Sequence, residues 1–502
     1  MEQNNDIKVS QVINLPNLNV KAQINMNIDA NTHIKQVINI ETYLIESQAE
    51  PLQNKAVVKG KLGVKVLYVD IDNIYNTLSD IVTFSETITN ENILPNSEIS
   101  VNNSQFFTNF DNDSHSLRVT IEGNLECMCS VTQHLNLLNQ ENDSLITKNT
   151  VVEGYNCLDK INKTYMYDLE IKLDSGINKI LSCDNRVIID ETKCYDGYLV
   201  TSGQILTTLV CECNNEELSV IKIFNNSSPF KLEVECPSCD NDCSPDLTAY
   251  IDMNNTQLTT DIGDNYTSIT FELSFVFSGY LYKSVNMNIV EDLYSLDSEI
   301  EIENKTYSIC KTSKTFKAVE NIDSEISLTD EISIDEILGM INLSSSATNY
   351  SIKQGILNIE GVVNGNLLYL DDGKEIKNMP TQIPFSINLK QEIEDAVSAL
   401  HLNLIPIACK CKIKRGNILI IDYEVCINGI VYTQDNISVV ENVKYAKPVT
   451  YTDVAFQIFI ARPNETRWQL CKRTHTTEEK LIEYNKENPT TYQGGEKVIV
   501  YR

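Results

Sequence analysis

The sequence predicts a mainly β protein: three antiparallel, sandwich-like repeats followed by a small unit ordered strand, helix, helix, strand. Three observations predict it. Most of the chain up to about residue 450 alternates apolar and polar with period two and is rich in Val, Ile, Thr and Tyr, as strands with one buried face require. A set of landmark residues recurs without gaps. From about residue 452 the composition shifts, and two capped helical turns surround the only tryptophan, Trp468.

At 502 residues the chain exceeds one ordinary domain of about 100–200 residues. Its 42% apolar content is enough for real cores. A net charge of −30 and a pI near 4.5 argue against nucleic acid and against anionic membrane surfaces as partners. The opening "MEQNNDIKVSQVINLP" has no basic region followed by an apolar run, so no signal peptide is expected. No stretch reaches ~18 uninterrupted apolar residues, so no transmembrane segment is expected either. Both point to a cytosolic protein, in which the 15 cysteines read mainly as reduced thiols.

The repeat is visible in three segments. "VKGKLGVKVLYVD" (58–70) and "IEGVVNGNLLYLD" (359–371) align Gly60 with Gly361, Tyr68 with Tyr369 and Asp70 with Asp371. "TSGQILTTLVCEC" (201–213) is a weaker copy with Gly203 in place and Cys211 where the others have Tyr. Fourteen residues past the aspartate come Phe84 and Phe385, and the middle copy delays Phe230 to seventeen. Later alternating runs at 117–131, 269–282 and 419–432 each lead to a Val-Glu pair: Val152-Glu153, Val290-Glu291 and Val440-Glu441. Those pairs lie 138 and 150 residues apart, which gives units of about 140 residues: 8–150, 151–300 and 301–448, then 452–502. "DDG" at 371–373 suits a tight hairpin and "NNSSP" at 225–229 a looser loop. The exception to strand patterning is 390–404, where Ile393, Val397 and Leu400 recur at helical spacing and predict a short helix.

Residues 452–502 hold eight Lys or Arg against seven Asp or Glu, a net of +1, while the remainder holds 32 against 63, a net of −31. "VAFQIFIA" (454–461) suits a strand that Pro463 ends. Asn464 is expected to cap a first helix through about 473, with Lys472 and Arg473 at the negative end of its dipole. Thr476 and Glu479 predict a capping box opening a second helix through Tyr484. Gly494-Gly495 turns the chain into a last strand, "EKVIVY". Trp468, with Cys471 beside it, is expected to supply much of so thin a core.

This segment resembles the LysM family, βααβ modules that commonly bind N-acetylglucosamine polymers. The resemblance is gapless over 463–485 through Pro463, Thr466, Trp468, Lys472-Arg473, Thr476-Thr477, Glu479, Leu481 and Asn485. Asn464 and His475 replace usual glycines, Glu465 a usual aspartate, and "KENPTTYQ" lengthens the second groove loop. The altered groove argues against sugar and in favour of a protein partner.

Three β-rich repeats with the Gly…Tyr-x-Asp signature and one divergent LysM together resemble the clostridial spore-coat proteins of the SipL type, which carry the SPOCS domain. The resemblance implies a non-enzymatic adaptor of the mother-cell cytoplasm, placed at the forespore surface. It would assist coat assembly by binding the basement-layer ATPase, stage IV sporulation protein A, through the LysM unit, and other coat proteins are further possible partners. The implied partner surface is Arg462, Asn464, Arg467, Trp468, Lys472, Arg473 and Asn485. The competing reading is a protein that binds peptidoglycan or N-acetylglucosamine through the same module.

Catalysis finds no support in the residues. The five histidines, His33, His115, His134, His401 and His475, are scattered without ligand spacing, and glycines are too sparse for a phosphate-binding loop. No cofactor is expected. Cys236, Cys239 and Cys243, in "CPSCDNDC", are the candidate metal ligands, but the second C-x₂-C of a zinc site is absent and plain packing of small thiols is the better reading.

Overall fold

The computed structural model describes residues 6–28, 33–113, 116–136, 138, 144–215, 218–263, 266–329, 332–390, 397–414, 417–450, 456–486 and 489–501. They form a mainly β protein whose strand pairings are antiparallel throughout.

The first unit comprises β1 (Asp6–Asn14), β2 (Leu18–Asn27), β3 (Ile34–Leu52), β4 (Lys55–Asp70), β5 (Tyr75–Thr89), β6 (Ser97–Asp113) and β7 (Ser116–Asn136). β3, β4 and β5 make a meander. β7 takes β6 on one edge and β1 then β2 on the other, the interruption falling at Pro16, which has no N–H to give. The two sheets share one apolar core running from Leu18 and Val20 through Val58, Leu62 and Phe84 to Leu117 and Val131.

The same plan recurs twice. β8 (Leu145–Leu173), β9 (Lys179–Tyr195), β10 (Tyr198–Asn215), β11 (Leu218–Glu235), β12 (Cys243–Ile251), β13 (Gln257–Ile262) and β14 (Thr267–Ser295) form sheets ordered β9-β10-β11 and β8-β14 with β12 and β13 on β14's far edge. β15 (Ser298–Ser327), β16 (Glu336–Lys353), β17 (Ile356–Leu370), β18 (Ile376–Lys390), β19 (Val397–Lys414) and β20 (Ile418–Pro448) form β16-β17-β18 and β15-β20-β19. Each pair of sheets again closes on its own core.

The landmark residues acquire a physical reason. Gly60, Gly203 and Gly361 lie directly opposite Phe84, Phe230 and Phe385 in the meander registers. Each ring covers its glycine: a Cβ at Gly60 would stand 2.5 Å from Phe84, and at Gly203 2.8 Å from Phe230. On the other side of each glycine the neighbouring strand bulges. Asp70 holds its hairpin, accepting from the backbone N–H of Asp72 at 3.0 Å and Ile74 at 2.8 Å, and Asp371 accepts from Glu375 at 2.9 Å. The three extra residues before Phe230 lengthen the β10–β11 hairpin.

Two expectations are corrected. Residues 397–404 are strand, not helix: Val397 pairs with Thr433 and Leu404 with Ile427, while Ile393 lies outside the described residues. Leu400, Leu402 and Leu404 face the unit's own core, whereas Ala399 and Ile405 pack into clusters shared with neighbouring units. Burial on both faces erases the alternation and leaves a run that imitates helical spacing. Val290-Glu291 and Val440-Glu441 mark equivalent bulges in β14 and β20, but Val152-Glu153 is not their counterpart. It lies in β8, which runs unbroken from Leu145 and pairs with β14 of the second unit.

The units meet around shared apolar junctions. One joins Ile38, Leu67 and Val69 with Leu181, Val210 and Ile221 and with Ile341, Leu368 and Ile376. A second, built by the long strands, joins Val9 and Leu135 with Met287 and Ile289 and with Ile309 and Val439. No helix among the described residues is long and apolar enough to cross a membrane.

Candidate functional site

The carboxy-terminal unit runs β21 (Phe456–Ile460), α1 (Arg467–Thr474), α2 (Glu478–Tyr484) and β22 (Lys497–Tyr501), with β21 and β22 paired antiparallel. Its caps differ from expectation by one or two residues. Thr466, not Asn464, caps α1: its hydroxyl accepts from Gln469 N–H, and the Gln469 side chain accepts from Thr466 N–H at 2.9 Å. Thr477, not Thr476, caps α2 and accepts from Lys480 N–H. The carbonyl of Thr476 is needed elsewhere, as described below. Asn464 and His475 both adopt left-handed backbone, with φ of 60° and 49°. Asn and His are among the non-glycine residues that reach that region most readily, so both turns form without glycine. At Gly494, φ is +102° and a Cβ would press on Pro463, so this turn needs glycine.

Inside, Ala461, Leu470, Cys471, Leu481, Tyr492, Val498 and Val500 form the core. Burial pushes the Cys471 thiol up to about 12. Tyr294 of β14, 1% exposed, belongs to the same core although it lies far upstream in sequence. Trp468 does not fill the centre but packs at the seam, edge-on to Tyr294 with ring centroids 5.0 Å apart. Its indole Nε1 donates to Asp292 Oδ2 at 2.7 Å, and Lys472 donates to the other Asp292 oxygen. Tyr294 donates its hydroxyl to the Thr476 carbonyl at 2.7 Å, and His475 Nδ1 meets the Ser295 carbonyl at 2.8 Å. Burial works to raise the Asp292 carboxyl, but the hydrogen bonds from Lys472 and Trp468 outweigh it and hold it below the usual range. The helical face is thereby seated on the end of β14.

The remaining expected partner residues are distributed differently. Arg473 clamps the buried Glu465 through two bonds of 2.8 and 3.0 Å, and Arg467 lies 3.7 Å from Glu478. Asn485 ties α2 to β22, donating to the Leu481 and Ile499 carbonyls and accepting from Ile499 N–H. Arg462 and Asn464 stay exposed. The seven residues do not form one free surface.

The open surface of this unit is the outward face of its sheet. Phe456, Ile458 and Ile460 project from β21 with 55%, 57% and 62% exposure, beside Ile499 and Tyr501 of β22. Ile458 stands opposite Ile499 and Phe456 opposite Tyr501, which stacks on Tyr484 at 4.7 Å. Such a contiguous apolar face marks an interaction site more often than not. The alternating burial of β21 and β22 was legible as strand, but both faces are apolar, so sequence alone does not say which one meets solvent.

Cys236, Cys239 and Cys243 are buried around the 236–243 loop, which the turn at Gly197 pins through its N–H to Cys239 and its carbonyl to Cys236. Burial raises all three thiols, Cys239 to about 12 and Cys243 to about 11. Among the described residues no group of three or more His, Cys, Asp or Glu could hold a metal ion. Thiolate chemistry is therefore suppressed. Titration of the native protein with a disulfide reagent should detect few of the 15 thiols, and all of them only after denaturation. His115 lies outside the described residues.

Comparison with known families bears on the β units. The SPOCS-domain model of the SipL family matches residues 33–105 and 176–259. The chain carries SPOCS domains of the SipL type. The matched regions cover the β3–β5 meander with the first half of β6, and the β9–β11 meander with β12 and the start of β13, and they include both Gly–Phe pairs of the first two units. The third unit repeats the strand order and has the same pair in Gly361 and Phe385. No curated protein and no solved structure matches the chain. The SPOCS match associates the protein with sporulation and the spore coat.

Proposed function

We propose that the protein is a non-enzymatic adaptor of spore-coat assembly, with three SPOCS sandwiches as its body and a LysM-type unit as its docking head. It binds the basement-layer ATPase of the coat in the mother-cell cytoplasm, at the forespore surface. The observation that carries this reading is the outward apolar face of Phe456, Ile458, Ile460, Ile499 and Tyr501. It lies on the one nearly neutral part of a strongly anionic chain, +1 against −31, where another protein meets least repulsion. The inward helical face is committed to Asp292 and Tyr294, which moves the docking surface from the basic helix residues to the sheet, with Arg462 and Lys497 at its rim.

The test is capture of purified ATPase by the full chain. Ile458→Asp with Ile499→Asp should weaken capture by at least roughly 30-fold, the loss that a single central apolar anchor of about 2 kcal/mol gives. Deleting 452–502 should abolish it and leave the β units folded. Undiminished binding by the double variant overturns the assignment of the face, and binding by the truncated chain overturns the whole docking-head reading. Glycan binding would instead show as sedimentation with purified peptidoglycan. Asn485, one of the residues such a site would use, already spends its amide on Leu481 and Ile499.

A further inference from the structure

One acidic or basic side chain from each of the three β units converges at a junction away from the carboxy-terminal unit. Glu126 comes from β7, Asp246 from β12 and His401 from β19. His401 Nδ1 lies 3.0 Å from Asp246 Oδ1, and the two side chains are 8% and 5% exposed. Tyr432 donates its hydroxyl to the other Asp246 oxygen. His401 Nε2 has no hydrogen-bond partner. The backbone beside it is fixed: Asn14 of the first unit donates to the Leu400 carbonyl at 2.9 Å and accepts from its N–H at 2.8 Å.

The imidazole separates two cavities. A larger one of about 450 Å³ is lined by Asp246, Tyr282 and Tyr432, and a smaller one of about 170 Å³ by Asn14, Glu126 and Asn349. His401 lines both. Around them Val12 and Met128, Tyr280 and Tyr282, and Cys310, Ala399 and Tyr432 form a single apolar cluster drawn from all three units. Two carboxylates from different units thus face one buried ring from the third.

We propose that His401 is a proton-controlled lock at this junction of the three units: the imidazolium tightens it through its ion pair with Asp246 and its attraction to Glu126 across the smaller cavity, and deprotonation loosens it. A buried carboxylate is tolerated only with a charged or hydrogen-bonding partner. The neutral ring can still donate Nδ1–H to Asp246, and Tyr432 still donates to the other oxygen, but the ion pair with Asp246 and the attraction to Glu126 are lost. Water then enters the two cavities, and the strand carrying His401 is the one that must yield.

The direction of the pH dependence follows. Burial works to lower the His401 value, but the charge and hydrogen bond of Asp246 outweigh it, the charge of Glu126 adds to them, and the net shift is upward. A raised folded value means the stabilisation is fully present below about 6.5, the ordinary value, and is lost as pH rises through the folded one. The other titratable groups facing the ring stay protonated across that window. Burial raises Tyr280, Tyr282, Tyr350 and Tyr432, and it pushes Cys127 and Cys310 to about 12 and Cys243 to about 11. At the rim of the larger cavity Lys317 of β15 pairs with Asp190 of β9, next to Glu191.

Amide exchange and histidine NMR titration of the full chain test the proposal between pH 6 and 9. His401, assigned by its loss in His401→Gln, should titrate above 6.5. Opening of the β19 and β12 amides should increase roughly tenfold per pH unit between the ordinary and the folded value, beyond the intrinsic exchange rate. In His401→Gln that pH-dependent opening should vanish, and Glu126→Gln should shift the titration midpoint downward while the fold persists. A wild-type imidazole titrating at or below 6.5 overturns the proposal. So does β19 opening that is equal on both sides of the titration, and both are readable without any variant.

Discussion

Gly361→Val is expected to unfold the third unit or lower its melting transition by roughly 10 °C. A Cβ there would meet the Phe385 ring on one side and the Ser346 carbonyl, presented by the bulge of β16, on the other. The ring cannot swing away, because Phe385 is 9% exposed and packs with Leu357, Ile359 and Ile387 in the core. Overpacking of a closed core costs about 1–3 kcal/mol, and a backbone obstacle places this site at the upper end. Differential scanning calorimetry checks the size. Phe385→Leu added to Gly361→Ala should recover only part of the loss, since the carbonyl remains after the ring is gone. Gly60 and Gly203 face Phe84 and Phe230 in the same way, so the equivalent substitutions should act on the first and second units.

Asp292→Ala should release the carboxy-terminal unit from β14 without unfolding either part. The change strands Trp468 Nε1 and the Lys472 ammonium at a half-buried seam, and loss of charge-assisted hydrogen bonds of this kind costs about 2 kcal/mol. Trp468 is the only tryptophan, so its fluorescence reads the seam alone. Emission should shift to the red and acrylamide quenching should rise, while circular dichroism of the β units stays constant. Acid should do the same to the wild type. Asp292 is held below its ordinary value of about 3.9, so the seam is intact above that pH and weakens as pH falls through the depressed value. Unchanged Trp468 emission in Asp292→Ala would show that Tyr294 and His475 hold the seat by themselves.

Much of this architecture was legible from local chemistry. Period-two alternation, the Gly–Phe spacing and the hairpin aspartates are short-range consequences of strand geometry, and they recur wherever the same meander is built. The reading failed where burial came from a neighbour. Residues 397–404 imitate a helix because both faces of β19 are covered, and Val152-Glu153 imitates the Val-Glu bulges of β14 and β20 although β8 is the first strand of the second unit. The partners of Trp468, Asp292 and Tyr294, lie about 175 residues upstream with no motif to announce them.

The sequence by itself determined that the chain is mainly β, that a set of landmark residues with a glycine and a later phenylalanine recurs three times, and that a nearly neutral strand–helix–helix–strand segment follows an acidic stretch. Each of these is fixed by residues close together along the chain or paired across one hairpin. Only the tertiary structure decided which face of the last unit is open, and which side chains from three separate units enclose His401. Those outcomes depend on contacts between elements hundreds of residues apart, and the same apolar alternation is compatible with either face being covered.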